Sequence, residues 1–151
     1  NELKNNIIKG GYWLKKPGPN PEVIIVYQGA VASEAIESTA LLGEKFKNSG
    51  VLSITSSDKL FHEWKKQALS FKNNKTQSHI EKLLESVPKD TRIITVIDGH
   101  PMTLSWIGSV YGHKTIPLGI DRFGQTGNIK DLFNEFGIDT NNISNLGFNL
   151  S

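Results

Sequence analysis

The chain has 151 residues, no cysteine, and a formal net charge of +2 from 17 basic and 15 acidic side chains. Disulfides, thiolate catalysis and cysteine-based metal sites are thereby excluded. The small charge surplus comes from scattered lysines and does not point to nucleic acid. A hydrophobic content of 37% and a charged content of 21% suit a soluble globular domain, and the length fits one domain. No apolar run approaches the roughly 18 residues of a membrane span, and the opening NELKNNIIKGG lacks the apolar centre of a signal peptide. Neither membrane nor nucleic acid is expected as a partner, and a cytoplasmic location is expected. The chain opens on Asn1 rather than Met, so a piece of a longer polypeptide is expected.

The pattern alternates short β-rich runs with helical ones, the signature of a parallel α/β sheet. Residues Ile7 to Lys15 (IIKGGYWLK) suggest an extended opening segment, with Gly10 and Gly11 as a bulge or turn. The three prolines of Lys16 to Pro21 mark a loop. Val23 to Tyr27 (VIIVY) is a continuous apolar run, as a strand covered on both faces requires. From Ser33 to Phe46 a helix is predicted, with Ile36, Ala40, Leu41 and Phe46 near its apolar period and Gly50 as its left-handed stop. Val51 to Thr55 is the next strand. Asp58 then suggests the N-cap of a helix burying Leu60, Phe61, Trp64 and Ala68.

Phe71 to Gln77 is a polar loop. Ile80, Leu83, Leu84 and Val87 make a short amphipathic helix stopped by Pro88, and Arg92 to Ile97 is a third parallel strand. A helix from Met102 to Tyr111 should stop at Gly112, and Thr115 to Ile120 should be a fourth strand. Asn128 caps a helix carrying Ile129, Leu132, Phe133 and Phe136, ended by Gly137; Thr140 could cap a closing turn through Ile143. Four βα units plus an N-terminal strand result, with helices on both faces of the sheet.

Ligand sites in such folds favour the carboxyl ends of the strands, here Gln28-Gly29, Ser56-Ser57, Asp98-Gly99-His100 and Asp121 to Gly127. His100 could donate a proton or hold an anion at a helix N-terminus. Asp98 suits a helix cap, and Gly99 would supply an unusual dihedral. The loop Asp121, Arg122, Phe123, Gly124, Gln125, Thr126, Gly127 could cradle a phosphate, but no Lys-Ser/Thr pair follows as a P-loop needs. The other reading makes it a shaped turn with Phe123 packed and Asp121 satisfying backbone donors. Candidate residues facing a ligand or an interface are therefore Asp98, His100, Asp121, Phe123, Gly124 and Gln125. Gln28-Gly29 has one glycine where a dinucleotide fingerprint needs three. None of His62, His79, His100 and His113 stands four residues from another, so no helical metal pair is expected. No Gly-x-Ser-x-Gly nucleophile elbow occurs.

The run DGHPMTLSWIGSVYGHKTIPLGIDRFGQTGNIKDLFNEFGID, Asp98 to Asp139, with GGYWLKKPGPNPEVIIVYQGAVASEAIESTALL and VLSITSSDKLFHEW before it, resembles the C-terminal domain of transketolase-like thiamine-diphosphate enzymes. The nearest likeness is to the homodimeric pyruvate dehydrogenase subgroup, and the resemblance covers roughly residues 7–145. It implies a three-layer αβα fold: a mainly parallel five-stranded sheet with an antiparallel edge strand, in one domain spanning 1–151. It implies a parent that decarboxylates a 2-oxo acid and passes the acyl group to a lipoyl carrier. Its partners would be the upstream thiamine-binding domains, a second subunit in a homodimer, and a lipoyl acyltransferase. Thiamine diphosphate and Mg would be held by the upstream domains, through a Gly-Asp-Gly…Asn motif and an activating Glu. Gly-Asp-Gly occurs nowhere in this chain, so no cofactor is expected on it and no catalytic residue transfers. Asp98, His100, Phe123 and Gly124 would at most face a neighbouring domain or subunit. Three rival readings remain: a transketolase domain; a free-standing binding module for an anionic metabolite, using the helix N-termini after Gly29, Gly99 and Gly127; and a hydrolase using Asp98 and His100.

Overall fold

The computed structural model describes residues 1–70, 76–122 and 127–149. A first helix, α1 (Glu2–Lys9), leads into β1 (Gly11–Lys15), then β2 (Val23–Gln28), α2 (Ala32–Lys45), β3 (Gly50–Ile54) and α3 (Ser57–Ala68). There follow α4 (His79–Leu84), β4 (Arg92–Ile97), α5 (Met102–Ser105) with a 3-10 turn at Trp106–Ser109, β5 (Thr115–Leu118), α6 (Ile129–Glu135) and α7 (Thr140–Asn149). The sheet order is β1-β3-β2-β4-β5, with β1 antiparallel to β3 and every other pair parallel. This is the mixed five-stranded α/β architecture that the sequence implied.

Alternation along the strands builds two cores. Ile24, Val26, Leu52, Ile54, Ile93 and Ile97 face α3, α4 and α5, where Leu60, Ile80, Leu84 and Leu104 meet them. Val23, Ile25, Tyr27, Val51, Ile94 and Val96 face the opposite layer, with Ala35, Leu42, Ile138 and Ile143. Covering both faces explains the unbroken apolar run of β2 from Val23 to Tyr27, where one-sided burial would give alternation. Each fully buried Ile or Leu contributes about 1.5–3 kcal/mol of transfer free energy.

Several local readings need correction. The opening segment is not extended throughout. Glu2 and Lys9 complement the dipole of α1 at its first and last turns, and Gly10, at φ +114°, turns the chain into β1. Leu3 and Ile7, four apart on one face of this helix, stay exposed, and the helix buries no residue. On α2 the buried face is Ala35, Ser38, Thr39 and Leu42, while Ile36 and Leu41 are 45% and 39% exposed. Small side chains win because α7 crosses closely. Ser38 Oγ donates to Glu34 O and lies 3.2 Å from Thr140 O, and a Cβ on Gly147 would lie 2.5 Å from Leu42 Cδ2.

Gly50 is no helix stop. It opens β3, and a Cβ there would meet Pro17 N at 2.8 Å. The cap of α3 is Ser56, which accepts from Lys59 N, not Asp58, and Ala68 is exposed. Thr140 opens a full helix rather than a turn, with Asp139 Oδ1 accepting from Asn142 N at 3.1 Å in the manner of an N-cap. The expected Phe71–Gln77 loop falls mostly outside the described residues.

Candidate functional site

Register brings the expected loops together. Strands β2 and β4 pair in step from Val23↔Arg92 to Gln28↔Ile97, so both end level and Gly29 lands beside Asp98. Gly29 has φ +88°, and the place of a Cβ on it is taken by Asp98 Oδ1. Strand β5 ends level with β4, at Val96↔Leu118, so Ile120 N donates to Gly99 O at 2.8 Å. A Cβ on Gly119 would lie 2.5 Å from that carbonyl and 2.9 Å from Pro101 N. Gly119 is thus the glycine that the close approach requires. Gly99, expected to supply an unusual dihedral, is not among the positive-φ glycines, and a Cβ there would meet only Ile97 at 3.7 Å.

Asp98 and His100 are both exposed. Asp98 does not cap the following helix; Met102 N donates instead to His100 Nδ1 at 3.3 Å. That ring thus satisfies an orphan donor of the first turn, and no hydrogen bond among the described residues joins it to Asp98. The pairing a hydrolase would need, a base oriented by its carboxylate, is not formed here. Of the other histidines, His62 is exposed, whereas His79 holds Gly11 O at 2.8 Å through Nε2 and His113 lies 3.1 Å from Pro88 O.

Beyond β5 a small cleft of about 220 Å³ opens between Pro101, Gly119, Asp121, Arg122, Glu135 and Phe136. The Arg122 guanidinium lies 3.6 Å from Glu135 and over the Phe136 ring, 5.2 Å from its centroid. Both charged side chains are substantially exposed, at 61% and 42%, so the pair is worth about 0.2–1 kcal/mol. Arg122 is the one cation among the described residues lining this cleft, and it stands with Glu135 and Asp121. Phe123, Gly124 and Gln125 lie outside the described residues. Of the six candidates, Asp98 and His100 are placed at one edge and Asp121 at the small cleft beside it. Gln28 shares that edge, and its Oε1 is buried without a hydrogen-bond partner.

Three features escaped the sequence reading. Trp64 and Trp106, far apart in the chain, stack with centroids 5.5 Å apart, and Phe61 meets Trp106 edge-on at 5.2 Å. Trp106 Nε1 is anchored on Ser57 Oγ and Thr103 O, each at 3.1 Å. A larger cleft, about 530 Å³, lies on the opposite flank between α1, β1 and α4. Its walls come from α1 and β1, consecutive in the chain, and from the distant α4, held to β1 by the bonds of His79 to Gly11 O and Trp13 to Leu83 O, so no linear motif announces it.

The residues present do not fit thiamine diphosphate and its metal. Among the described residues no group of three or more His, Asp or Glu side chains could hold a metal ion, and the Gly-Asp-Gly motif is absent from the sequence. No helix among the described residues is long and apolar enough to cross a membrane.

A family model described as the transketolase-like TK C-terminal domain matches residues 10–139. Transketolase 2 of Aliivibrio fischeri is 30% identical over 93% of this chain and 19% of its own length. The transketolase of Bacillus subtilis is 28% identical over 95% of the chain and 19% of its own length. The chain therefore spans about a fifth of these relatives. Among solved structures, a transketolase from Leishmania mexicana superposes with a TM-score of 0.69 at 17% identity, over 97% of this chain and 18% of that one. A Pichia stipitis transketolase mutant does so at 0.67 and 22%, over 95% and 18%. At such identities these structures bear on the fold alone. The named relatives are transketolases, and nearness to the pyruvate dehydrogenase subgroup is not carried by them. On the family match over residues 10–139, the chain belongs to the transketolase-like C-terminal-domain family.

Proposed function

We propose that residues 1–151 form the C-terminal domain of a transketolase: one domain of a longer, thiamine-diphosphate-dependent, cytoplasmic enzyme that transfers a ketol group between sugars. The observation that carries this reading is the family match across residues 10–139 of a chain that spans only 19% of its curated relatives. The chemistry of the parent belongs to upstream domains that hold thiamine diphosphate and Mg. This domain supports their assembly into a homodimer and is catalytically silent alone. In keeping with that role, Asp98 and His100 are exposed at the carboxyl edge, where they can face a neighbouring domain or subunit.

The pyruvate dehydrogenase reading rests on the likeness of Asp98 to Asp139 to that subgroup, and the lipoyl acyltransferase partner depends on it entirely. The transketolase relatives favour the sugar reading. Substrate profiling of the full-length parent with thiamine diphosphate and Mg separates the two. Ketol transfer from a ketose phosphate to an aldose phosphate, without turnover of pyruvate, supports the proposal. Decarboxylation of pyruvate with acyl transfer to a lipoyl acceptor would replace it.

A further inference from the structure

We propose that the cleft between α1, β1 and α4 is a binding site for an anionic metabolite with a flat apolar part, such as an aryl phosphate or carboxylate. This site is separate from the carboxyl edge and does not depend on the assignment of the parent enzyme.

The cleft, about 530 Å³, falls in the range of small-molecule sites, roughly 300–1,000 Å³. Its charge is one-sided. Lys9 at the end of α1, Lys16 after β1 and Lys82 on α4 border it, and Glu2 is the sole acidic side chain in its lining. Among the described residues none of the three lysines is in an ion pair, the one pair there being Arg122 with Glu135. Three ammonium groups around a concave surface raise the local concentration of anions, and the low-dielectric wall behind them strengthens the effect.

The apolar side is equally defined. Tyr12, Trp13 and Leu83 line the cleft. The indole is fixed, because Trp13 Nε1 donates to Leu83 O at 2.9 Å. His79, 6% exposed, lines the cleft too. Its Nε2–H donates to Gly11 O at 2.8 Å, a carbonyl being able only to accept. That bond ties α4 to the start of β1 inside the site. A rigid aromatic surface bordered by mobile cations is suited to a ligand with a ring and a negative group, because little ordering is required of the wall. Gly10 secures the geometry. Its left-handed turn sets α1 against β1, and a Cβ there would meet Leu60 Cγ and Ser56 O at 2.9 Å.

The test titrates the 151-residue protein, isotopically labelled, with phenyl phosphate, and follows amide and indole NMR shifts with inorganic phosphate and phenol as controls. Saturable shifts confined to Tyr12, the Trp13 indole and Lys82 are expected. Affinity should exceed that for either control at least tenfold and should weaken with added salt. The double variant Lys9→Gln/Lys82→Gln alters two exposed side chains, so the fold persists, and it should lose at least tenfold in affinity. Absence of saturation, shifts centred on Gly29, His100 and Asp121, or unchanged affinity in the double variant would overturn the proposal.

Discussion

At the carboxyl edge of the sheet the described charges are mainly acidic: Asp98, Asp121 and Glu135 against Arg122. Arg122 is matched by Glu135 at 3.6 Å across a cleft of about 220 Å³, and Asp98 and His100 stand exposed without a bond between them. On the antiparallel flank the cleft is about 530 Å³, with Lys9, Lys16 and Lys82 facing one acid, Glu2. The edge is where α/β folds usually place chemistry, yet here the better-formed concavity lies on the other side. The flank, built by the added helix and the antiparallel strand, has a character of its own.

Substitutions can break or sharpen this contrast. Leu60, fully buried beneath Gly10, is the deepest support of the flank. Leu60→Ala should destabilise by about 2–5 kcal/mol in denaturant unfolding and should weaken phenyl phosphate binding at the same time. A loss of stability below 1 kcal/mol would mean that the flank is not braced as described. At the edge, Gly119→Ala places a Cβ 2.5 Å from a backbone carbonyl, and overpacking of this kind costs about 1–3 kcal/mol. Gly43→Ala on α2 meets nothing within 4 Å and should stabilise by about 0.5–1 kcal/mol. A Gly119→Ala variant that melts no lower than the native chain would refute the close approach of Gly119 to Gly99.

Smaller effects are electrostatic. Arg122→Gln should change stability by no more than about 1 kcal/mol, and the change should shrink in high salt; a larger, salt-independent loss would show the edge to be more than a screened pair. Tyr111, whose hydroxyl donates to Glu81 O, has its pKa raised above 10.0, first by burial and then by Glu81 and Glu85, against the lowering effect of Gln77. A raised folded pKa means that the contribution is fully present below pH 10 and is lost as pH rises through the folded value. Melting temperature should therefore fall more steeply in that alkaline window for the native chain than for Tyr111→Phe. Parallel curves would remove Tyr111 as the cause.

The legible parts of this molecule were those where a single physical signal dominates. The strand VIIVY is apolar throughout because both faces are covered, and Asn128 with Gly137 bracket α6 through capping chemistry that is local in sequence. Indeed Asn128 Oδ1 accepts from Asp131 N at 3.0 Å, and Gly137 has φ +68°. What was hidden required partners distant in the chain. Ile36 and Leu41 outrank Ala35 and Ser38 in hydrophobicity, but close packing of α7 selects the smaller face. Helix α1 buries nothing, its Leu3 and Ile7 remaining exposed. Asp98 has the residue type of a cap, yet the His100 ring reaches the first turn instead. The carboxyl-edge candidates were recoverable from strand ends, whereas Lys82 joins Lys9 and Tyr12 only when α4 packs on β1.

The most direct test of the domain assignment is the mass of the gene product in its source cells, by immunoblot with peptide mapping of the band. A polypeptide several times the 16.7 kDa of this chain, with peptides containing a Gly-Asp-Gly cofactor motif, is the predicted result. A band at 16.7 kDa with no thiamine-binding chain co-purifying would contradict it.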